Sequence, residues 1–459
     1  MKKKILISLC ENQYIRNFIN TSALNLLKEK YELYFIADER ISNDQKEELK
    51  KIKSFKGFFY YNDEKISKFN KLNIQVSYIN EKKSTSFKML NKGVYVQNRL
   101  TRDRENLFLT FYFFPKRITV KIFKYFEYLF FKFFGNEKRI TQKFINKNKI
   151  NSFIEKTIDD LKPELIIFPA NGNKVMNLEL VLISKKKNIK TFKICDNWDN
   201  ASSRSFVQPQ EDYIGVWGEQ SFQHAKKINN FDPKNIFILG CARFEGYLSN
   251  KNKNISMFDF KYILVLENFI NHKIYDTLKK LEEIVSNNKN FSDNKIIYRP
   301  HPNRKDTNFI NVKLFKNVIV DPQVNTNYQV LNNKYTADLD YYPSLINNAQ
   351  IIVAAPTSMI IEAMIFHKKT IVLGYDGNNF FNFKNFLKYN LHLHDLEKFP
   401  TLRINRDLEE IENQLQELKD LEINYTTLNK VDLHRNYYLN DAIEYKQALL
   451  EAVNSILIK

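Results

Sequence analysis

Ile351-Ile-Val-Ala-Ala-Pro-Thr-Ser358, running on into Met359-Ile-Ile-Glu-Ala-Met-Ile-Phe366, decides how the rest of the chain is read. Its first five residues are an unbroken apolar run, which is how a strand buried on both faces reads. Pro356 ends the run, and Thr357 and Ser358 follow where a helix begins. Hydroxyls at that point cap free backbone N–H groups and leave the helix start attractive to an anion. A second segment of the same kind lies upstream: Lys295-Ile-Ile-Tyr298, then Arg299-Pro-His-Pro302. His301, held between two prolines, is fixed in an extended loop. Ligands of open α/β sheets sit at the carboxyl ends of the strands. The two segments therefore predict a cradle for the phosphates of a nucleotide.

Working outward, apolar runs and helical stretches alternate. Lys4 to Leu9 reads as a strand, Tyr14 to Lys28 as a helix and Tyr31 to Ala37 as a second strand. That βαβ opening predicts a parallel, doubly wound sheet. Further strands are expected at 164–169, 190–195 and 212–217, with a helix across 174–187. A second set is expected from about Asn235: 236–239, 262–266, 296–298, 318–320, 351–354 and 370–374. Residues 40–105 are polar and charged and predict helices and loops; those after Asp407 predict charged helix without site chemistry. The expected division is 1–234 and 235–459, two Rossmann-like domains facing a cleft. A chain of 459 residues is too long for one core and suits two.

Composition narrows the function. With 10 glycines and neither G-x-G-x-x-G nor G-x-x-x-x-G-K-[ST], a Gly-rich phosphate loop is excluded. The net charge of +19 favours polyanions or an anionic membrane. No nucleic acid is expected, because the charge is spread along the chain and no recognition motif accompanies it. Cys10, Cys195 and Cys241 lie far apart without a C-x-x-C and read as reduced, buried thiols of a cytoplasmic protein. The apolar run after Met1-Lys-Lys-Lys stops at Glu11, short for a signal peptide.

Leu107 to Gly135 stands apart, with ten phenylalanines among basic residues. On a helix, Arg117, Lys121, Lys124 and Lys132 fall along one side, and Ile122, Phe123, Phe126, Leu129, Phe130 and Phe133 cluster opposite. No apolar stretch approaches the roughly 20 residues that cross a bilayer. The pattern suits a helix lying in an anionic membrane interface. An ordinary core-facing helix is the alternative.

An "HP" element followed 55 to 60 residues later by a Ser/Thr pair that opens an "EA" helix resembles the carboxyl half of GT-B-fold transferases. The nearest groups are CDP-glycerol glycerophosphotransferases, bacterial sialyl- and Kdo-transferases and related surface-polysaccharide enzymes. Ile236-Phe-Ile-Leu-Gly-Cys-Ala-Arg-Phe-Glu245 is similar to their "tGxPRxD" segment, with Cys241-Ala242 in place of the usual polar-Pro pair. Thr370 to Asp376 is similar to the strand after the "EA" helix. The likeness covers roughly residues 160 to 380. It implies a donor site at Arg299, His301, Arg304, Thr357, Ser358, Glu362 and Arg243, with Glu362 accepting from ribose hydroxyls. It also implies a nucleotide-activated donor, a cytidine nucleotide favoured, and a glycan or lipid-linked acceptor at the inner face of the cytoplasmic membrane. Capping hydroxyls and a dipole-compensating glutamate are the plain structural alternatives for Thr357, Ser358 and Glu362.

Inverting transfer needs a base to take the acceptor's proton. Cys195-Asp-Asn-Trp-Asp-Asn200 is the densest polar cluster after a strand, so Asp196 and Asp199 are candidates, with Trp198 as a platform for a sugar. An Asx-rich turn explains the same residues equally well. Glu11, after the first strand, is the next candidate. Asp338-Leu-Asp340 follows no clear strand, so neither metal nor cofactor is expected and His301 with the helix start takes the role of a cation. Two rivals share these features. One is a sugar-nucleotide 2-epimerase of the same fold; the other is a non-catalytic membrane- or polyanion-binding protein.

Overall fold

The computed structural model describes residues 2–96, 107–170, 174–204, 206–245, 247, 257–268, 274–301, 314–323, 339, 341–375 and 382–458. The chain divides into two compact units. Unit 1 holds Met1–Cys241, Tyr389–His392 and Ile443–Lys459; unit 2 holds Ala242–Lys388 and Leu393–Ala442.

Among the described residues, unit 1 carries a seven-stranded sheet in the order β3-β2-β1-β4-β5-β6-β7. Its strands are β1 Lys4–Leu9, β2 Glu32–Asp38, β3 Phe55–Phe59, β4 Leu165–Ala170, β5 Lys190–Cys195, β6 Tyr213–Val216 and β7 Ile236–Ile238. Every pairing is parallel. β1 buries Ile5 through Leu9, as a strand covered on both faces must. The helix Ser152–Leu161 leads into β4, and Asn151 starts it by accepting the amides of Phe153 and Ile154. The helix Val175–Lys187 leads into β5 after Asn188, whose left-handed backbone stops it.

Unit 2 carries six described strands, also all parallel, in the order β10-β9-β8-β11-β12-β13. They are β8 Lys261–Leu266, β9 Asn294–Arg299, β10 Val318–Val320, β11 Ile351–Ala354, β12 Lys369–Leu373 and β13 Leu402–Asn405. β11 is buried throughout, and Ile351, Ile352 and Val353 so covered contribute about 1.5–3 kcal/mol each. Both sheets wind outward from their first strand, then return to its other side. The strand order therefore reverses between β1 and β4 in unit 1 and between β8 and β11 in unit 2, and ligand crevices form at such points.

Several expectations are corrected. Ile236–Ile238 was expected to open the second sheet; it pairs instead with Tyr213–Val216 as the edge of the first. The passage between units therefore falls at 241/242, a few residues beyond 234/235. The carboxyl-terminal helix Tyr445–Ile458 belongs to unit 1, where Tyr31 donates to Asn454 and the amines of Lys3 and Lys190 reach the carbonyls of Leu457 and Ile456. The helix expected over 14–28 is broken into Asn12–Phe18 and Asn25–Lys30. Within 40–105 the chain also forms the edge strand β3.

Leu107–Phe134 is a helix, and it packs against the helices Asp63–Ile79 and Thr85–Val96. The contact surface is its polar side. Tyr128 is buried, donates to Glu81 at 2.9 Å and stands edge-on to Tyr78. Lys132 bonds the same carboxylate at 2.9 Å, and Gln75 donates to Glu127. Ile122, Phe123, Tyr125, Phe126, Phe130, Phe133 and Phe134 are exposed, Phe134 to 78%. Hence the apolar face of residues 122–134 does not turn to the core. The side chains of Arg117 and Lys121 lie outside the described residues.

Candidate functional site

In unit 2 the expected donor segments meet at the point where the strand order reverses. Strand β8 lies between β9, which leads to His301, and β11, which leads to Ala355-Pro-Thr-Ser358. The two residues after β8 tie both loops down. The Glu267 carboxylate accepts the Tyr298 hydroxyl at 2.8 Å and the His301 amide at 3.2 Å. Asn268 donates to the Pro356 carbonyl at 3.2 Å. Both residues are buried, so the pinning is shielded from water. Neither was singled out from sequence, although a polar pair directly after the apolar run Tyr262–Leu266 is a legible signal.

Thr357 and Ser358 are partly exposed, and the capping expected of them is absent. Ser358 stands at the cap position of the helix Met359–Ile365 without a side-chain cap bond. The first turn is closed by main chain alone, Ile360 to Thr357 at 3.2 Å and Ile361 to Ser358 at 3.0 Å. A local structural duty therefore does not account for these hydroxyls.

The charged residues behave differently. Glu362 is buried and accepts from Arg243 at 3.1 Å and from the Tyr247 hydroxyl at 3.0 Å. The glutamate expected to meet ribose thus holds the arginine of the Gly240-Cys-Ala-Arg243 segment, which also stacks on Phe244 at 4.6 Å. Arg299, expected to grip phosphate, is 3% exposed and paired with Asp321, with its guanidinium 4.5 Å from the Tyr342 ring centre. Tyr341 donates to Asp321 at 2.6 Å, so this arginine is the centre of a buried structural network. Burial, then the Asp321 bond, push the Tyr341 hydroxyl well above its ordinary range. Arg304 and the pair Asp338 and Asp340 lie outside the described residues.

In unit 1 the corresponding reversal brings together the ends of β1, β4 and β5. Glu11 follows β1, is about one-third exposed and forms an ion pair with Lys174, the residue before the helix Val175–Lys187. Gln13 donates to its other oxygen at 3.1 Å. Asp196 follows β5, is buried and accepts from Asn17 at 3.0 Å. Asp199 is absorbed by its own turn, taking the Ser203 hydroxyl at 2.6 Å, as an Asx-rich turn does. Trp198 is 2% exposed and packs edge-on against His392, so it offers no stacking platform. Cys10 adjoins Glu11, but burial first and that carboxylate second push its thiol well up, and it stays a neutral S–H. A concavity of about 520 Å³ lined by Lys185, Lys190, Asp212, Tyr213 and Asn235 opens at the amino ends of β5 to β7, the opposite edge of this sheet from Glu11 and Asp196.

No family model matches the chain, and no curated protein sequence does. Among solved structures, the UDP-GlcNAc 2-epimerase of Methanocaldococcus jannaschii aligns at TM-score 0.52 and 12% identity, covering 98% of this chain and 99% of that one. The Neisseria meningitidis UDP-GlcNAc 2-epimerase bound to UDP-GlcNAc gives 0.53 and 11%, covering 98% and 99%. The Rickettsia bellii UDP-N-acetylglucosamine 2-epimerase gives 0.52 and 11%, covering 100% and 98%. The fold is GT-B. At these identities the likeness reaches no further than architecture. It accounts for two Rossmann-like units, each with a reversal in strand order and polar residues at its strand ends. Among the described residues, no helix of this GT-B chain is long and apolar enough to cross a membrane.

Proposed function

We propose that this GT-B protein is an enzyme acting on a nucleotide-activated sugar or polyol, held mainly by unit 2, and that it transfers the activated group to a glycan or lipid-linked acceptor. The observation carrying the reading is the pair Thr357 and Ser358. Their hydroxyls stand at the strand-order reversal with no capping duty, and the same β8 tail that fixes their turn also fixes His301. Phosphate oxygens accept from hydroxyls and from imidazole N–H, so this group suits a diphosphate. Arg299, Arg243 and Glu362 then act as scaffold. Arg304 stays among the proposed donor contacts.

Of the acid–base candidates, Glu11 and Asp199 have solvent access, Asp199 already holding the Ser203 hydroxyl, and Asp196 is the covered alternative. Whichever acts would accept the acceptor hydroxyl's proton as that oxygen attacks the donor. The attacked atom is the anomeric carbon of a sugar donor, the nucleotide leaving with the bonding pair, or the polyol-bearing phosphorus of a CDP-polyol, CMP leaving with the bonding pair. In both cases the attacked centre inverts, without a metal. The resemblance of the HP and Ser/Thr segments favours a cytidine nucleotide. The resemblance also favours a cell-surface glycan, met at the inner face of the cytoplasmic membrane.

A sugar-nucleotide 2-epimerase is the second reading, favoured by neighbours that span both units, one of them bound to UDP-GlcNAc. NMR of the purified chain with CDP-glycerol, CMP-sialic acid or UDP-GlcNAc, with and without a glycan acceptor, separates the two. Nucleotide release that requires acceptor supports transfer, whereas change at C2 of the sugar without acceptor supports epimerisation. An unchanged spectrum under both conditions rejects both.

A further inference from the structure

Over residues 122–134, the helix Leu107–Phe134 presents to solvent the side that an isolated amphipathic helix would hide. At 100° per residue, Ile122, Phe123, Tyr125, Phe126, Phe130, Phe133 and Phe134 span about half of its circumference. All seven are exposed, and five are phenylalanines. Its polar side turns inward, where Tyr128 and Lys132 bond Glu81. Such contiguous exposed apolar surface marks a contact with a protein or a membrane.

Charge selects between them. The acidic groups beside the helix are engaged within the unit. Glu81 takes Lys132, Tyr128 and Asn91; Glu127 takes Gln75 and stands 3.7 Å from Lys71; Glu137 accepts from Asn80. The basic groups at the rim point outward. Lys82 lies 5.9 Å from the Phe133 ring centre, and Lys83, Lys138 and Arg139 are exposed around Gly135. An aromatic face with a basic rim complements anionic headgroups over an acyl layer. A second copy of the chain would set the same basic rim, on a protein of net charge +19, against itself.

We propose that the outward face of residues 122–134 docks on the surface of an anionic lipid bilayer, with Phe123, Phe126, Phe130 and Phe133 entering the acyl boundary and Lys82 and Lys83 meeting phosphate. This surface stands independently of the enzymatic reading and does not require it.

The test uses the full chain with vesicles of phosphatidylcholine alone or with 30% phosphatidylglycerol. The wild type co-sediments with the anionic vesicles, and Phe123→Ser/Phe126→Ser/Phe130→Ser/Phe133→Ser lowers the partition coefficient at least tenfold while leaving the unfolding midpoint unchanged. Lys82→Glu/Lys83→Glu weakens anionic binding several-fold. If the quadruple variant fails to fold, Phe126→Trp carries the test, since its added emission shifts to the blue on anionic vesicles. Absence of co-sedimentation, or binding indifferent to the quadruple change, overturns the proposal. So does a concentration-dependent dimer that the quadruple change abolishes without any vesicle binding, which assigns the face to a second copy.

Discussion

Asp321→Asn is the sharpest probe of what the second-unit arginine does. Asp321 is fully buried, and its carboxylate pairs with Arg299 while accepting Tyr341 at 2.6 Å and the Gln323 amide at 3.1 Å. Asparagine keeps the shape and removes the charge. The guanidinium is then a buried cation without its carboxylate, still beside the Tyr342 ring, at 4.5 Å, and Gln323, at 3.3 Å. Breaking a pair of this depth costs about 3–5 kcal/mol, most of it the penalty of the orphaned charge. With a urea slope of about 1–3 kcal/mol/M, the midpoint falls by roughly 1 M or more. Arg299→Met/Asp321→Asn leaves no buried charge, so it should recover about 0.5–3 kcal/mol relative to the sum of the single changes. The assay is urea unfolding by far-UV circular dichroism, with tryptophan fluorescence in parallel. Trp198 and Trp217 both lie in unit 1, so the fluorescence serves as an internal control for a change made in unit 2. A loss under about 1 kcal/mol for Asp321→Asn refutes the structural assignment. So does an Arg299→Met protein of native stability that has lost nucleotide affinity, because the arginine would then be a phosphate ligand after all.

Three further outcomes follow from the same geometry. Glu362→Ala takes the paired carboxylate from the Arg243 guanidinium and should cost about 3 kcal/mol in chemical denaturation, against about 1 kcal/mol for Tyr247→Phe, which removes one hydrogen bond. Lys368 has its pKa lowered by burial to about 8. Below pH 8 the amine is charged in both folded and unfolded chains and the burial penalty is complete; between pH 8 and about 10.4 only the unfolded chain holds the proton, so stability gains with rising pH. Lys368→Met should therefore be more stable than wild type by about 3 kcal/mol at pH 7, with the gap closing towards pH 10.5, as measured by urea midpoints across that range. Finally, Cys10, Cys195 and Cys241 are all buried thiols outside any disulfide, and burial pushes Cys195 up to about 12. Ellman's reagent at pH 8 should find no reactive thiol in the native protein and three after unfolding; a fast native thiol contradicts this.

The fold was legible in the sequence because parallel strands covered on both faces are written as apolar runs. Ile351–Ala354 and Leu165–Ala170 could be read at sight. The strands that escaped notice are edge strands. β3 is Phe-Lys-Gly-Phe-Phe, with Gly57 at φ 131° and one face open, and β13 is Leu-Arg-Ile-Asn. Their mixed composition reflects half-burial, which single-sequence pattern reading assigns to loops. β7 was seen but placed in the wrong sheet, because an apolar run does not name its neighbour.

The candidate site divides along similar lines. Thr357, Ser358 and His301 were visible from position alone, since proline and strand end mark them. The commitments of Arg299 and Glu362 were hidden, because Asp321 lies 22 residues downstream of the first and Arg243 lies 119 upstream of the second. Only the folded sheet brings such partners together. The aromatic helix shows the same limit. Its two-sided pattern was plain, but which side faced the protein depended on Glu81, some fifty residues away from Tyr128 and Lys132.

Nucleotide binding by unit 2 is the central claim, and thermal unfolding tests it most directly. The wild type and Thr357→Ala/Ser358→Ala would be scanned with CMP, CDP, UDP, GDP and ADP. A ligand at 100 times its Kd adds about 2.7 kcal/mol, which moves the midpoint of a unit this size by about 5–10 °C. The account predicts such a shift for one nucleotide series in the wild type, and at least a tenfold loss of affinity in the variant, whose unliganded midpoint stays within about a degree of wild type. A wild type indifferent to every nucleotide, or a variant that keeps the full shift, would contradict it.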